Sequence, residues 1–247
     1  MKTPLIFDLK RASTVDGPGL RTTVFFKGCN LNCFWCHNPE GKSPEAQAAF
    51  FAEKCISCGV CQRFRDSDVE RVEHCPAQAR RIYGRKYETE ELMSILEADL
   101  PYYQATGGGV TFSGGECMLY PDDLTVLARE CQKRGISVAI DTTGNVPFSN
   151  FKMVLPYTDL FLYDVKCLDP DLHRRGTGGD NTLILENLNR LITCGAGLLI
   201  RIPVIPDFND GDELRRIEHF CRERELPYEL LPYHSTGEGK GAALLSN

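Results

Sequence analysis

Three cysteines near the start of the chain have the spacing of a metal-binding loop. Cys29, Cys33 and Cys36 form a C-x3-C-x2-C pattern in the segment GCNLNCFWCHN. A structural four-iron cluster usually takes four thiolates, so three leave one iron open. An open coordination position is typical of a reactive metal centre. A zinc site completed by His37 is the alternative, although His37 abuts Cys36 and zinc ligands are usually further apart.

A second group of four cysteines follows. Cys55, Cys58 and Cys61 form C-x2-C-x2-C, and Cys75 precedes a proline. The bacterial ferredoxin run has this spacing and also places its last cysteine before proline. We therefore predict one auxiliary four-iron cluster on these four cysteines, with tetrahedral zinc as the alternative. Such a cluster would serve as an electron relay or as a structural brace, and the sequence leaves both open.

Composition limits the other classes of function. The 247 residues are 42% hydrophobic and 25% charged, with a formal net charge of −6. An acidic chain is not typical of a general nucleic-acid binder. The N-terminus lacks a signal-peptide apolar core, and no apolar run is long enough to cross a membrane, so we expect a cytoplasmic protein. In that reducing compartment, twelve cysteines indicate metal ligands and core residues rather than a disulfide scaffold.

Alternating apolar runs and amphipathic segments predict the elements that position these cysteines. Strands are expected at 22–26, 109–112, 137–141, 160–166, 198–204 and 228–233, and helices at 88–100, 122–134, 181–194 and 212–225. Strand–helix alternation predicts an α/β fold with a parallel sheet, either a partly closed barrel or an open doubly wound sheet. Residues 43–85 break the alternation and are interpreted as an insert. The glycine-rich tail after residue 234 shows no clear element.

In either architecture, ligands bind at the carboxyl ends of the strands. Polar residues cluster at those predicted ends, and we expect them to meet on one rim. They are Gly114, Gly115, Glu116, Asp141, Thr142, Asp164, Lys166, Arg201 and His234.

The order of motifs resembles a known family. The cysteine loop, with aromatic Trp35 before its last cysteine, is similar to the signature of radical S-adenosylmethionine (SAM) enzymes. The blocks VDGPGLRTTVFFKGCNLNCFWCHNPE, GGGVTFSGGE, DTTGN, YDVK, IRIPVIPDFND and ELLPYH resemble those of glycyl-radical-enzyme activating enzymes, which include pyruvate formate-lyase activating enzyme. The resemblance implies a partial parallel α/β barrel of about six units, formed by residues 1–42 and 86–247, with a ferredoxin-like insert at 43–85.

The resemblance also implies an activity. Cys29, Cys33 and Cys36 would hold a four-iron cluster whose open iron binds SAM. Reductive cleavage of SAM would give a 5′-deoxyadenosyl radical that removes a Cα hydrogen from a glycine of a partner enzyme. A flavodoxin or ferredoxin would donate the electron, and the activating enzyme itself would be a monomer.

Individual residues receive roles from the same resemblance. Trp35, as part of the signature, would help to bind SAM. Gly114, Gly115 and Glu116 would face the SAM amino group. Asp141, Thr142 and Asp164 would line a monovalent-cation site. Lys166 and Arg201 would lie near the SAM carboxylate, His234 near its ribose or adenine, and Asp16 near the incoming glycine.

The chain departs from the family in two places: it has one ferredoxin-type cysteine run where many members have two, and it has a short C-terminus. Two other functions remain open. One is a radical SAM enzyme that acts on a small molecule or peptide. The other is an iron–sulfur electron carrier without catalysis, which would need no rim of polar residues.

Overall fold

The computed structural model describes residues 4–233 and 236–245, apart from the side chains of 236–238. Its strands are β1 (Ile6–Ser13), β2 (Arg21–Phe26), β3 (Gln47–Phe50), β4 (Arg80–Tyr83), β5 (Gly109–Gly114), β6 (Ser137–Thr142), β7 (Leu160–Asp164), β8 (Leu198–Val204) and β9 (Tyr228–Pro232). Its helices are α1 (Asp68–Glu73), α2 (Thr89–Glu97), α3 (Leu100–Thr106), α4 (Pro121–Lys133), α5 (Phe148–Val154), α6 (Pro170–Thr177), α7 (Thr182–Thr193), α8 (Asp212–Glu223) and α9 (Thr236–Ala243).

Seven strands form the main sheet in the order β1-β2-β5-β6-β7-β8-β9. The six strands from β2 onward are parallel, whereas β1 runs antiparallel to β2. A doubly wound sheet would reverse its strand order at a switch point, and this sheet never does. Within the described residues β1 and β9 do not pair, so the barrel is partial and open. The predicted fold class is confirmed.

The predicted helix faces pack as expected against the sheet. On α4, the apolar positions Leu124, Leu127, Ala128 and Cys131 are all buried. Cys221 on α8 is also fully buried, as the helical spacing predicts. No helix in the described part of the chain is long and apolar enough to span a membrane.

The interrupted segment contains a small sheet of its own. Strands β3 and β4 pair antiparallel, with Gln47 opposite Tyr83 and Phe50 opposite Arg80. Tyr83 packs with Phe7 of β1 in a second, small apolar cluster. The cysteine-bearing stretch therefore lies between two paired strands. The domain boundaries at 42 and 86 remain a prediction.

The tail differs from the expectation of no element, because it contains α9. Its glycines disfavour a helix locally, so tertiary contacts must supply the stability. Ala243 joins the small cluster with Phe7 and Tyr83, and the backbone N–H of Leu245 donates to the carbonyl of Ala48 at 2.9 Å.

Candidate active site

A pocket lies at the carboxyl ends of the parallel strands. It encloses about 900 Å³, counted to its open mouth. Ten of the predicted site residues line it: Cys29, Cys33, Trp35, Cys36, Gly114, Gly115, Asp141, Thr142, Asp164 and Lys166. Residues from four separate stretches of sequence therefore meet in one cavity.

The cysteine loop is tied to the barrel by backbone hydrogen bonds. The amide of Cys29 donates to the carbonyl of Lys42 at 3.0 Å. The amide of Asn32 donates to the carbonyl of Thr177 at 2.7 Å. The Lys42 ammonium adds a bond to the Cys33 carbonyl at 3.1 Å. The loop is therefore held from two sides, so that its thiols have a defined position.

The three thiols of this loop are in a weakly hydrated environment. Burial raises the pKa of Cys29 to about 12, and it also raises the pKa values of Cys33 and Cys36. The positive charge of Lys166 partly opposes the effect at Cys33. Without metal these groups are neutral thiols, and metal binding must displace their protons.

Trp35 forms an aromatic wall beside the cysteines. Its ring centroid lies 4.7 Å from that of Phe34 and 4.8 Å from that of Phe208. Trp35 is only 7% exposed, whereas Phe34 is 64% exposed. Trp35 therefore fixes the inner side of the loop by packing while Phe34 remains at the surface.

The two glycines after β5 are required by crowding. A Cβ on Gly114 would lie 2.3 Å from backbone atoms of Phe26, and one on Gly115 would lie 2.2 Å from the carbonyl oxygen of Gly28. Gly114 also has a φ of 120°, which side chains disfavour. The glycine pair thus lets the β5 turn lie directly against the start of the cysteine loop.

Glu116 has a different orientation from the one expected. Its carboxylate was predicted to accept hydrogen bonds from SAM, but the side chain is fully buried and does not line the pocket. Thr142 and the Met118 amide donate to one oxygen, and the amide and hydroxyl of Thr143 donate to the other. All four donors come from the protein, so Glu116 joins the turns after β5 and β6.

Asp141 carries a perturbed carboxyl group on the pocket wall. Ser113 donates to its Oδ2 at 2.7 Å, and Arg201 Nη1 lies 3.3 Å from the same oxygen. Burial raises the pKa of Asp141 to about 6, with the charge of Arg201 acting in the opposite direction. The Asp141 charge thus depends on its buried cationic neighbour.

Asp164 and Lys166 form a second charged pair in the pocket. Lys166 Nζ lies 2.5 Å from Asp164 Oδ2. Burial alone would lower the pKa of Lys166, but Asp164, Cys33 and Asp141 together outweigh burial, so the pKa is raised. Lys166 is therefore a permanent cation beside the cysteines at neutral pH.

Arg201 and Asp16 lie behind the pocket wall and do not line it. Arg201 Nε is 3.2 Å from Glu229 Oε1, yet it has no hydrogen-bond partner of suitable angle among the described residues. The buried Asp16 carboxylate accepts hydrogen bonds from Ser13 at 2.5 Å and Thr23 at 2.7 Å. Both residues are thus buried in the barrel, and His234 lies outside the described residues.

Comparison with known proteins decides the family. The Radical SAM superfamily model matches residues 23–221. The trans-4-hydroxy-L-proline dehydratase activating enzyme of Clostridioides difficile is 38% identical over 96% of this chain and 86% of its own. The isethionate sulfite-lyase activating enzyme of Oleidesulfovibrio alaskensis is 36% identical over the same shares. The chain belongs to the glycyl-radical-enzyme activating enzymes of the radical SAM superfamily.

The family resemblance inferred from the motifs is thereby confirmed. Radical SAM enzymes use a four-iron, four-sulfur cluster and SAM, and the three-cysteine loop supplies thiols of the kind required. Streptococcus suis SuiB bound to precursor peptide SuiA has a TM-score of 0.55 at 14% identity, over 83% of this chain and 37% of that one. That likeness shows the fold alone.

In this activating enzyme the second cysteine group lines a separate small cavity. Cys55, Cys58, Cys61 and Cys75 surround about 320 Å³ together with apolar residues that include Phe50 and Ile56. Cys55 and Cys58 are exposed. Among the described residues, no three His, Cys, Asp or Glu side chains are grouped closely enough to hold a single metal ion, and this applies to both cysteine groups.

Several pocket residues of the activating enzyme were not singled out from the sequence. Ser113 and Thr143 line the pocket at the ends of β5 and β6, and Ile205 and Tyr233 line it beyond β8 and β9. Their positions at predicted strand ends were the available signal. Serine, threonine and isoleucine are too common at such places for residue type alone to mark them.

Proposed function

We propose that this enzyme installs a radical on a glycine of a partner glycyl radical enzyme. The observation that supports the proposal is the meeting of the three-cysteine loop with the Asp141 carboxyl group and the Asp164–Lys166 ion pair in one pocket. A protein that only carried electrons would not need a cavity of this size beside its cluster. A fully ligated cluster would also have four cysteines at this loop.

The donor set fits an open cluster. Cys29, Cys33 and Cys36 all line the pocket, and no fourth cysteine among the described lining residues completes the set. When bound, the cluster supplies an electron that cleaves SAM to methionine and a 5′-deoxyadenosyl radical, which takes the Cα hydrogen of the glycine. The protein supplies binding, orientation and exclusion of water.

The polar wall of the pocket matches the charges of SAM. The Lys166 ammonium offers a cation to the SAM carboxylate. The Asp141 carboxylate offers an acceptor to the SAM amino group, and its partner Arg201 keeps it oriented. Gly114 and Gly115 lie on the same wall, where the absence of side chains permits close approach. Asp141, Thr142 and Asp164 also supply oxygen atoms for the proposed monovalent cation.

We further propose one auxiliary four-iron cluster on Cys55, Cys58, Cys61 and Cys75. The apolar cavity and the four thiols around it support this assignment. The exposed Cys55 and Cys58 suit electron entry from a flavodoxin or ferredoxin.

The proposed activity is tested by anaerobic reconstitution with iron and sulfide. After reduction with dithionite, 5′-deoxyadenosine formed from SAM is measured for the parent, Cys33→Ala and Cys194→Ala. Cys194 is exposed at the end of α7 and serves as the matched control. We expect product from the parent and the control but none from Cys33→Ala. An iron-loaded parent without product would overturn the proposal and favour the electron carrier.

The partner is then identified by its radical. Candidate glycyl radical enzymes are those named in the relatives, namely hydroxyproline dehydratase, isethionate sulfite-lyase and choline trimethylamine-lyase. Each is mixed with the reduced enzyme and SAM, and electron paramagnetic resonance is recorded. A glycyl doublet from one candidate identifies the partner class. If SAM is cleaved but no candidate acquires the radical signal, and a small molecule or peptide is consumed instead, the alternative substrate class is favoured.

A further inference from the structure

The cysteine loop is bonded to residues 176–179, the C-terminal end of α6 and the turn that continues from it. The carbonyl of Gly176 accepts a hydrogen bond from the amide of Phe34 at 3.1 Å, and the carbonyl of Thr177 accepts one from the amide of Asn32 at 2.7 Å. These two amides flank Cys33 on either side along the chain. The turn therefore fixes the middle cysteine of the three without contacting its thiol.

Side-chain packing along the turn is equally close. A Cβ on Gly176 would lie 2.2 Å from the Phe208 ring and 2.7 Å from the Trp35 ring. A Cβ on Gly179 would lie 2.5 Å from Leu31. Because these approaches leave no spare room, a shift of the turn by a fraction of an ångström would move the cysteine loop with it.

His173 holds this turn in place from inside the protein. The imidazole is 1% exposed, and its Nδ1 lies 2.8 Å from the carbonyl oxygen of Gly179 and 3.1 Å from the hydroxyl of Thr177. A carbonyl oxygen can only accept, so Nδ1 must carry the proton. The Thr177 hydroxyl also donates to the His173 carbonyl at 2.9 Å and accepts from the amide of Gly179 at 3.2 Å.

We infer that His173 is a positioning residue for the SAM cluster, acting through the turn at 176–179 on the loop that carries Cys33. The inference rests on the proposed function, because it concerns the same cluster. It assigns a role to a buried histidine that is not a ligand and does not line the pocket. Groups that hold metal ligands in position typically contribute about tenfold or more to metal affinity.

Two substitutions separate the hydrogen bond from the bulk of the ring. His173→Phe keeps an aromatic ring and removes the Nδ1 donor. His173→Asn keeps a donor at the position of Nδ1 and removes the remainder of the ring. His219→Phe is the matched control, since the side chain of His219 is 68% exposed on α8. Thr177→Val removes the hydroxyl that also makes hydrogen bonds within this turn, and so tests the turn without changing the histidine.

The reconstituted proteins are challenged with an iron chelator. We follow the electron paramagnetic resonance signal of the reduced protein that changes when SAM is added, together with iron per chain. His173→Phe should lose the SAM-sensitive signal about tenfold faster than the parent. His173→Asn should retain most of the parental lifetime, and His219→Phe all of it. Iron bound by the insert cysteines should leave at the parental rate in every variant.

Several results would overturn the inference. One is a parental lifetime of the signal in His173→Phe. Another is equal damage in His173→Asn and His173→Phe, which would show that the donor is irrelevant. A third is equal loss of iron from both cysteine groups, which would indicate a general effect on the fold. If circular dichroism shows that His173→Phe does not fold, Thr177→Val and His173→Asn decide the question by the same criteria.

Failure of the proposed function is distinguishable from failure of this inference. A parent that binds iron but shows no SAM-sensitive signal would contradict the proposed function. A parent with a normal signal, accompanied by a His173→Phe variant of equal lifetime, would leave that function intact and remove the role of His173. For folded variants, Michaelis constants for SAM and turnover numbers provide a further readout, since a displaced cluster should alter SAM binding as well as iron retention.

Discussion

The two cysteine groups are held by the protein in opposite ways. The loop with Cys29, Cys33 and Cys36 is anchored by distant parts of the chain, including the turn after α6. In the insert, the Cys55 amide bonds to the carbonyl of Ala52, and the Cys75 amide to that of Val72, so these contacts are local. The first loop is thus held by the barrel, whereas these two bonds of the insert cysteines stay within the insert.

The difference suits the roles proposed for the two cysteine groups. Chemistry on SAM requires a fixed distance between the open iron and the pocket wall, and a rigid frame provides it. Electron transfer tolerates a looser setting and gains from exposure to a donor protein. The contrast between a prearranged site and a locally folded one can be tested directly.

The largest expected effect is on SAM cleavage. Cys36→Ser should abolish 5′-deoxyadenosine formation, because a thiolate of the reactive cluster is lost. Cys58→Ser should retain cleavage when dithionite is the reductant, because this small reductant can reach the first cluster directly. The same assay with a flavodoxin donor should show a defect in Cys58→Ser. If Cys58→Ser is inactive even with dithionite, the two regions do not function separately.

Alkylation of the iron-free protein should distinguish the cysteines of the insert from those of the first loop by their rates of modification. Pulses of iodoacetamide followed by peptide mass spectrometry should modify Cys55 and Cys58 first, because they are exposed. Cys117 and Cys131 should react last, since both are fully buried and burial raises the pKa of each thiol, that of Cys131 to about 12. Exposed Cys194 is the positive control. Modification of the loop cysteines as fast as Cys55 would show that the loop is not prearranged.

The next largest effect is expected on stability, when the buried Glu116 carboxylate is replaced. Glu116→Gln replaces one of the two carboxylate oxygens by an NH2 group. That group would face either the two donors of Thr143 or the donors of Thr142 and Met118. The unmatched donors should lower the free energy of unfolding of the iron-free chain by about 3 kcal/mol. Glu223→Gln, at an exposed position of α8, should change it by less than about 0.5 kcal/mol. Equal stability of the two variants in urea unfolding would show that Glu116 does not brace these turns.

The smallest effect should come from the surface between the insert and the barrel. Asp8 Oδ1 of β1 lies 3.1 Å from Arg81 Nη2 of β4, and both side chains are about half exposed. Solvent weakens such pairs, so Asp8→Ala should cost about 0.5 kcal/mol. If thermal unfolding shows that Asp8→Ala loses several times more stability, this ion pair contributes to docking the insert on β1.

Much of the barrel could be predicted because its central strands are largely buried on both faces. Strands β2 and β5 to β9 were each expected to within a few residues. Strand β1 was missed, since IFDLKRAS carries the exposed Lys10 and Arg11 and forms an edge. The tail helix was missed for another reason: its stability comes from contacts with β3, which no local pattern contains.

Site residues were predictable as positions and less so as orientations. Asp141, Asp164 and Lys166 reach the pocket because strand ends converge there. Glu116 also follows the end of a parallel strand, but its side chain faces the interior, where it accepts four hydrogen bonds. The sequence cannot reveal this choice, because it depends on which neighbouring loop supplies the donors. The role of His173 was hidden for the same reason.

The crowding at Gly114 and Gly115 has a consequence for how such motifs are interpreted. A mutational library at these two codons should be depleted of every other residue under selection for solubility alone, even without selection for radical chemistry. Their presence in a distant sequence would then report a cysteine loop packed against the following turn. A descendant that had lost its catalytic power but kept its shape would still carry both glycines.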